Sequence, residues 1–239
     1  MNLRTHLLAG HVIPAQPLAL DRHRKFSERH QRALTRYYVA AGSGGLAVGV
    51  HSTQFEIRDP QHNLFRPVLE LAAQTVRAEL AAAPRDFALI AGLCGQTRQA
   101  VAEAELALSF GYQAGLVSMA AFKTEPEAAI VAHVATIAKL IPVVGFYLQP
   151  AVGGRVFSYG FWRQFAEIPG VVAIKMAPFN RYQTIDVVRA VTAAGRDDLA
   201  LYTGNDDTIV ADLLTPFTFE HHGRKVTRRI VGGLLGHWG

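Results

Sequence analysis

A lysine stands near the end of an apolar run. Residues 171–177 read VVAIKMA, so Lys175 has apolar or small neighbours on both sides. Burial disfavours the charged form of an amine, so a buried lysine has a lowered pKa and holds more neutral amine at pH 7. A neutral amine attacks a ketone or aldehyde and forms an imine. Two other interpretations stay open at this point: an ammonium group that reaches water, or one paired with Asp206 or Asp207.

Polar residues also end three other apolar runs, in GVHSTQ (49–54), GFYLQP (145–150) and YTGNDD (202–207). In the second of these, Tyr147 offers a hydroxyl that can transfer protons during imine formation, although a tyrosine in this position is also typical of a core. In GVHSTQ, the imidazole of His51 and the hydroxyl and amide groups that follow it are suited to hold a carboxylate. The alternative is that these residues form an ordinary turn.

Eight short apolar stretches alternate with amphipathic helical patterns along the whole chain. The stretches cover 9–15, 44–50, 86–93, 114–120, 142–148, 171–177, 199–204 and 230–236. They show no polar alternation, which is typical of parallel strands covered on both faces. The pattern predicts a (β/α)₈ TIM barrel, in which chemistry lies at the carboxyl ends of the strands. An open doubly wound sheet is the alternative, since alternation alone does not show closure.

We find no linker or low-complexity segment, so we expect a single domain over 1–239. The apolar patch within residues 1–20 is interpreted as the first strand. The chain stops at Gly239, shortly after the eighth strand, so we expect a barrel truncated there, with its last helix missing. Such a barrel would be less stable than a complete one, or covered by self-association.

Composition narrows the function classes. Hydrophobic residues make up 50% and charged residues 18%, which indicates a large core. A single cysteine suits the reducing cytoplasm, and no apolar run is long enough to span a membrane. The ten histidines form no metal-ligand spacing, so we expect no metal and no cofactor. The net charge of +5 is concentrated in 21–32 and 221–229. We interpret these basic runs as solvated faces, with nucleic-acid binding through 221–229 as the alternative.

The strand endings, taken together, resemble the motifs of the dihydrodipicolinate synthase / N-acetylneuraminate lyase superfamily. The matching segments, in order, are GLAVGVHSTQ, GFYLQP, VVAIK and LYTGNDD. The tyrosine followed by x-x-Pro matches Tyr147 and Pro150, and the Ile-Lys pair matches Lys175, 28 residues after the tyrosine. The resemblance implies a barrel that forms a lysine imine with a 2-oxo acid, and a homo-oligomer. It also implies that Gly204, Asn205 and Asp206 contact substrate.

The departures from the family pattern are informative. The Gly-Thr-Thr-Gly-Glu loop, which holds the substrate carboxylate in the family, here reads VHSTQ, with His51 and Ser52 in place of the two threonines. Phe122 stands for a family tyrosine and Val152 for an arginine, although Arg155 lies nearby. These losses argue against a true dihydrodipicolinate synthase.

The sequence therefore predicts a Schiff-base-forming lyase of the class I aldolase type that acts on a 2-oxo acid. Lys175 would be the nucleophile and Tyr147 the general acid and base. His51 and Ser52 would hold the carboxylate. We expect no nucleic acid and no membrane among its partners. The alternative is a non-catalytic barrel of the same family.

Overall fold

A computed structural model describes residues 1–236 of the chain. Its strands are β1 (Val12–Pro14), β2 (Gly45–Val48), β3 (Ala88–Leu93), β4 (Ala114–Ser118), β5 (Val143–Leu148), β6 (Val171–Ala177), β7 (Ala200–Thr203), β8 (Phe217–His221), β9 (Arg224–Arg228) and β10 (Gly232–Leu235). Its α-helices are α1 (Leu3–Leu8), α2 (Glu28–Ala40), α3 (Phe65–Ala82), α4 (Thr97–Ser109), α5 (Glu127–Ile137), α6 (Tyr159–Glu167), α7 (Arg181–Ala193) and α8 (Ile209–Leu214).

Eight of the strands form one parallel sheet in the order β1-β10-β7-β6-β5-β4-β3-β2. The two ends of this sheet meet, because a parallel bridge joins Ala15 to Ala47 and the Gln16 N–H donates to the Ala47 carbonyl at 2.9 Å. The chain is therefore a (β/α)₈ barrel, as the sequence predicted, and not an open sheet.

The sequence analysis interpreted the apolar patch within residues 1–20 as the first strand. The structure has a short helix there as well as a strand. Asn2 caps a short helix, α1, by accepting a hydrogen bond from the Thr5 N–H, and β1 follows it. Leu7 on this helix is fully buried, and the Tyr202 hydroxyl donates to its carbonyl at 2.8 Å. The helix thus closes the amino-terminal end of the barrel, where β1 alone would leave the interior exposed.

The basic run 221–229, interpreted from the sequence as a solvated face, forms much of an antiparallel hairpin, β8–β9, which the sequence analysis did not predict. Its turn places His222 and Gly223 at φ +48° and +70°, the left-handed geometry that favours tight hairpins. Phe217 is buried, and Arg228 is paired with Asp197 at 2.6 Å, so the hairpin is fastened to the barrel. Residues 237–239, on which the predicted missing helix depends, lie outside the described residues.

Each strand of the barrel presents alternate residues to two separate cores. Inward side chains such as Ile90, Phe146 and Leu234 fill the barrel lumen. Outward side chains such as Tyr147 and Met176 pack under the helices. This alternation decides which residues near the strand ends can meet inside the barrel.

No helix within residues 1–236 has the length and apolar character needed to cross a bilayer.

Candidate active site

Lys175 lies on β6 and points into the barrel lumen. Its register partners are Phe146 on β5 and Tyr202 on β7, and its Nζ lies 4.4 Å from the centroid of the Phe146 ring. Only 7% of the residue is exposed. Burial lowers the pKa of this amine to about 8, and the Asp206 carboxylate partly opposes that effect. About one amine in ten is then neutral at pH 7, against about three in ten thousand for an ordinary lysine.

Gly204 packs directly against the lysine stem. A Cβ atom at this position would lie 2.7 Å from Lys175 Cε and 3.1 Å from the Ala177 Cβ. The Gly204 N–H donates to the Met176 carbonyl at 2.7 Å, which ties the end of β7 to β6. The structure therefore brings Gly204 and Lys175 together, and only glycine leaves room for the lysine stem.

Asn205 is buried and makes internal hydrogen bonds. Its amide nitrogen donates to Thr184 at 3.1 Å and to Asp212 at 2.9 Å, and its amide oxygen accepts from the Phe179 N–H at 2.9 Å. Both amide protons are thus used within the protein, and the predicted contact between Asn205 and substrate stays a prediction. The residue fixes the loop that carries the exposed Asp206, whose carboxylate acts on the Lys175 amine.

The loop after β2 carries His51 and the half-buried Ser52. It begins with a short 3₁₀ turn, His51–Thr53, in which the buried Thr53 hydroxyl donates to the Gln16 carbonyl at 2.6 Å. Partial burial and then the positive charge of Lys175 lower the pKa of His51, while Glu56 opposes them. His51 is exposed, and its ring lies against the ring of Phe55, with centroids 5.6 Å apart.

A buried ion pair holds the far end of the same loop. Arg58 Nε lies 2.8 Å from a Glu103 oxygen, and its Nη2 donates to the carbonyls of Gly49 and Gly92 at 3.0 and 2.9 Å. Glu103 also accepts from the Cys94 N–H at 2.9 Å. Since both side chains are at most 10% exposed, this pair fixes the loop at the carboxyl ends of β2 and β3.

Tyr147 is not brought to Lys175, in contrast to the sequence-based expectation. It lies one residue beyond Phe146 on β5, so its side chain faces the opposite side of the strand and packs against Trp162, with ring centroids 4.9 Å apart. Its hydroxyl accepts a hydrogen bond from the Phe157 N–H at 3.3 Å. The pKa of Tyr147 is raised, chiefly by burial. In this position the hydroxyl lies outside the lumen.

The sequence analysis missed three residues that contribute to the candidate active site: Phe146, Thr53 and Arg58. Phe146 directly precedes Tyr147. Because side chains alternate along a strand, only one of these two residues could be expected to lie beside Lys175. The others are a threonine and an arginine in a loop, for which only the three-dimensional contacts reveal the role.

Other reactive groups were also considered. Within the described part of the chain, no group of three His, Cys, Asp or Glu side chains is placed to hold a metal ion. Burial raises the pKa of the Cys94 thiol to about 12, so this thiol is not a nucleophile at neutral pH.

The fold is similar to solved structures of one enzyme family. Dihydrodipicolinate synthase from Agrobacterium tumefaciens matches with a TM-score of 0.75 at 19% identity, over 98% of this chain and 72% of the synthase. YagE, a prophage protein of the dihydrodipicolinic acid synthase family from E. coli K12 in complex with pyruvate, matches with a TM-score of 0.72 at 17% identity, over 84% of this chain.

A chloride-inhibited dihydrodipicolinate synthase from Acinetobacter baumannii, complexed with pyruvate, matches with a TM-score of 0.71 at 18% identity, over 84% of this chain. This chain spans 65% of the length of that synthase and of YagE, which is less than two thirds. No protein-family model and no curated protein sequence matches this chain.

Proposed function

The chain has the fold of the dihydrodipicolinate synthase / N-acetylneuraminate lyase superfamily, and on this basis we propose that it is a class I aldolase-type lyase acting on a 2-oxo acid. The buried amine of Lys175, at the carboxyl end of β6 and with a pKa of about 8, is the observation that carries the proposal. Pyruvate, which is bound in the YagE and Acinetobacter baumannii structures, is the first substrate to test.

The surroundings of Lys175 suit imine chemistry. The neutral amine attacks the 2-oxo carbon, and loss of water leaves an iminium cation on the lysine nitrogen. The ring of Phe146, 4.4 Å from the nitrogen, stabilises a cation before and after this reaction. Asp206 favours the ammonium form and so limits how far the pKa falls.

The remaining predicted residues take the following roles in the proposal. Ser52 and backbone amides of its loop hold the substrate carboxylate. Gly204 and Asp206 line the end of the pocket where substrates differ, and Asn205 positions them. A homo-oligomer and a cytoplasmic location are further proposals, and they rest on the resemblance and on the single cysteine.

Borohydride trapping tests this function. The protein is mixed with pyruvate and sodium borohydride, and the adduct is located by intact mass and peptide mapping. We expect a reduced adduct on Lys175, no adduct in Lys175→Ala, and an unchanged adduct in Lys139→Ala, which removes an exposed lysine from the turn after α5. A folded wild-type protein without adduct contradicts the proposal.

A second candidate, a non-catalytic barrel, is favoured by one observation: Tyr147, the predicted acid and base, lies outside the lumen. This candidate predicts that calorimetry detects binding of a 2-oxo acid while borohydride traps nothing. Trapping on Lys175 removes it.

A further inference from the structure

Gly204, which packs against the stem of Lys175, lies between two residues that are bound by the same oxygen atom. The Thr203 hydroxyl donates to Asp212 Oδ2 at 2.7 Å, and the Asn205 amide nitrogen donates to the same oxygen at 2.9 Å. The Asn205 N–H also donates to the Thr203 hydroxyl at 3.1 Å. The residues on both sides of Gly204 are therefore fixed by one carboxylate, which comes from α8.

We infer that Asp212 is a positioning residue for the Lys175 amine and acts through Gly204. The inference rests on the proposed imine chemistry at Lys175. Gly204 leaves little free space beside the lysine, since a Cβ there would lie 2.7 Å from Lys175 Cε. The Gly204 N–H also donates to the Met176 carbonyl, next to the lysine on β6, at 2.7 Å. A shift of the Gly204 backbone would therefore move the lysine stem, and Asp212 is the group that opposes such a shift.

The position of Asp212 requires a carboxylate. The residue is fully buried, and its second oxygen, Oδ1, accepts a hydrogen bond from the Arg181 guanidinium at 2.6 Å. A carboxylate is costly to bury unless it is paired and hydrogen-bonded, and here both conditions are met. Two oxygens receive three donors. An amide side chain has one acceptor oxygen and would turn its NH₂ group toward at least one of these donors, so asparagine does not replace aspartate here.

The same network holds the loop that follows Lys175. The Asn205 amide oxygen accepts from the Phe179 N–H at 2.9 Å, and Phe179 has a φ of +53°, a left-handed conformation that is uncommon for phenylalanine. The Asn205 amide nitrogen also binds the Thr184 hydroxyl on α7 at 3.1 Å. Because Asp212 orients this amide, it fixes both the β7 residues beside the lysine and the chain just after β6.

Single-turnover borohydride trapping with pyruvate tests this role in Asp212→Asn, which keeps the shape of the side chain and removes one acceptor oxygen. We expect the rate of adduct formation on Lys175 at saturating pyruvate to fall about 10- to 100-fold, as a displacement of up to about 1 Å produces. The pyruvate concentration that gives half of the maximal rate should change by less than about twofold, because the proposed function places the substrate carboxylate on the loop after β2.

Variants of Thr203 provide a second test, which leaves the ion pair of Asp212 and Arg181 in place. Thr203→Val removes one donor from Asp212 and should slow adduct formation, whereas Thr203→Ser keeps the hydroxyl and should restore the rate. This pair of variants decides the question if Asp212→Asn does not fold. Thr192→Val is the matched control and should react at the wild-type rate. Its buried hydroxyl donates to the Val188 carbonyl at 2.8 Å near the carboxyl end of α7, away from the barrel mouth.

Rate and stability, measured on the same variants, separate positioning from a purely structural role. A residue that only stabilises the fold would lower the urea midpoint of unfolding and leave the trapping rate of the folded variant unchanged. Folded Asp212→Asn and Thr203→Val proteins that form the adduct at the wild-type rate overturn the inference. Failure of the proposed function looks different, because then the wild-type protein itself forms no adduct.

Discussion

Replacing Gly204 by alanine tests the close packing around the reactive amine. The new methyl group would lie 2.7 Å from Lys175 Cε, whereas carbon atoms in contact are about 3.5–4.0 Å apart. The backbone of Gly204 is not in the left-handed region, so the clash is with side chains and not with the conformation of the residue. The end of a lysine side chain moves more easily than a strand, so we expect the amine to shift by about 1 Å.

The size of the effect follows from that shift. Displacement of a reacting group by about 1 Å costs about 100-fold in rate. Overpacking lowers the free energy of unfolding by about 1 kcal/mol. Alanine offsets part of this loss, because it reduces the conformational entropy of the unfolded chain. Gly204→Ala should therefore remain folded and lose most of its rate of imine formation.

The assay combines single-turnover borohydride trapping with urea unfolding. Gly160→Ala is the matched control, since a Cβ there meets only the Ser158 Oγ at 3.6 Å, and alanine favours the helix α6. This control should keep the wild-type rate. If Gly204→Ala also traps pyruvate at the wild-type rate, the packing around Lys175 does not position the amine, and the reasoning is refuted.

Two further predictions concern the ionisation of Lys175. Lys175→Met should raise the free energy of unfolding at pH 7 by up to about 3 kcal/mol, because the fall of the lysine pKa from 10.5 to about 8 has that energetic value. Between pH 8 and 10.5 the unfolded wild-type chain binds more protons than the folded one, so wild-type stability rises with pH relative to the methionine variant. Urea unfolding at pH 7 and pH 10 measures this, and a constant difference contradicts it. Asp206→Asn removes the carboxylate that raises the same pKa, so the midpoint of the pH–trapping curve should fall below about 8; an unchanged midpoint means that Asp206 does not act on the amine.

Several elements could be read from the sequence because their cause is local. Strands covered on both faces need continuous apolar runs, so β6 and the last barrel strand β10 were visible as VVAIKMA and IVGGLLG. The hairpin β8–β9 was not, because most of its charged residues lie on exposed positions and only Phe217, Phe219 and Val226 hint at alternation. Helix α1 was missed because six residues give too few turns for a periodic pattern.

The sequence by itself determined that one lysine lies near the end of a buried strand, where burial lowers the pKa of its amine. Only the tertiary structure decided which groups meet it. The registration of β5 on β6 includes an irregularity at Val143 and places Phe146, and not Tyr147, beside Lys175. Asn205 is similarly held by Thr184 and Asp212, from two different helices. In a closed barrel the direction of each side chain depends on strand registration, which is a property of neighbouring strands and not of any one segment.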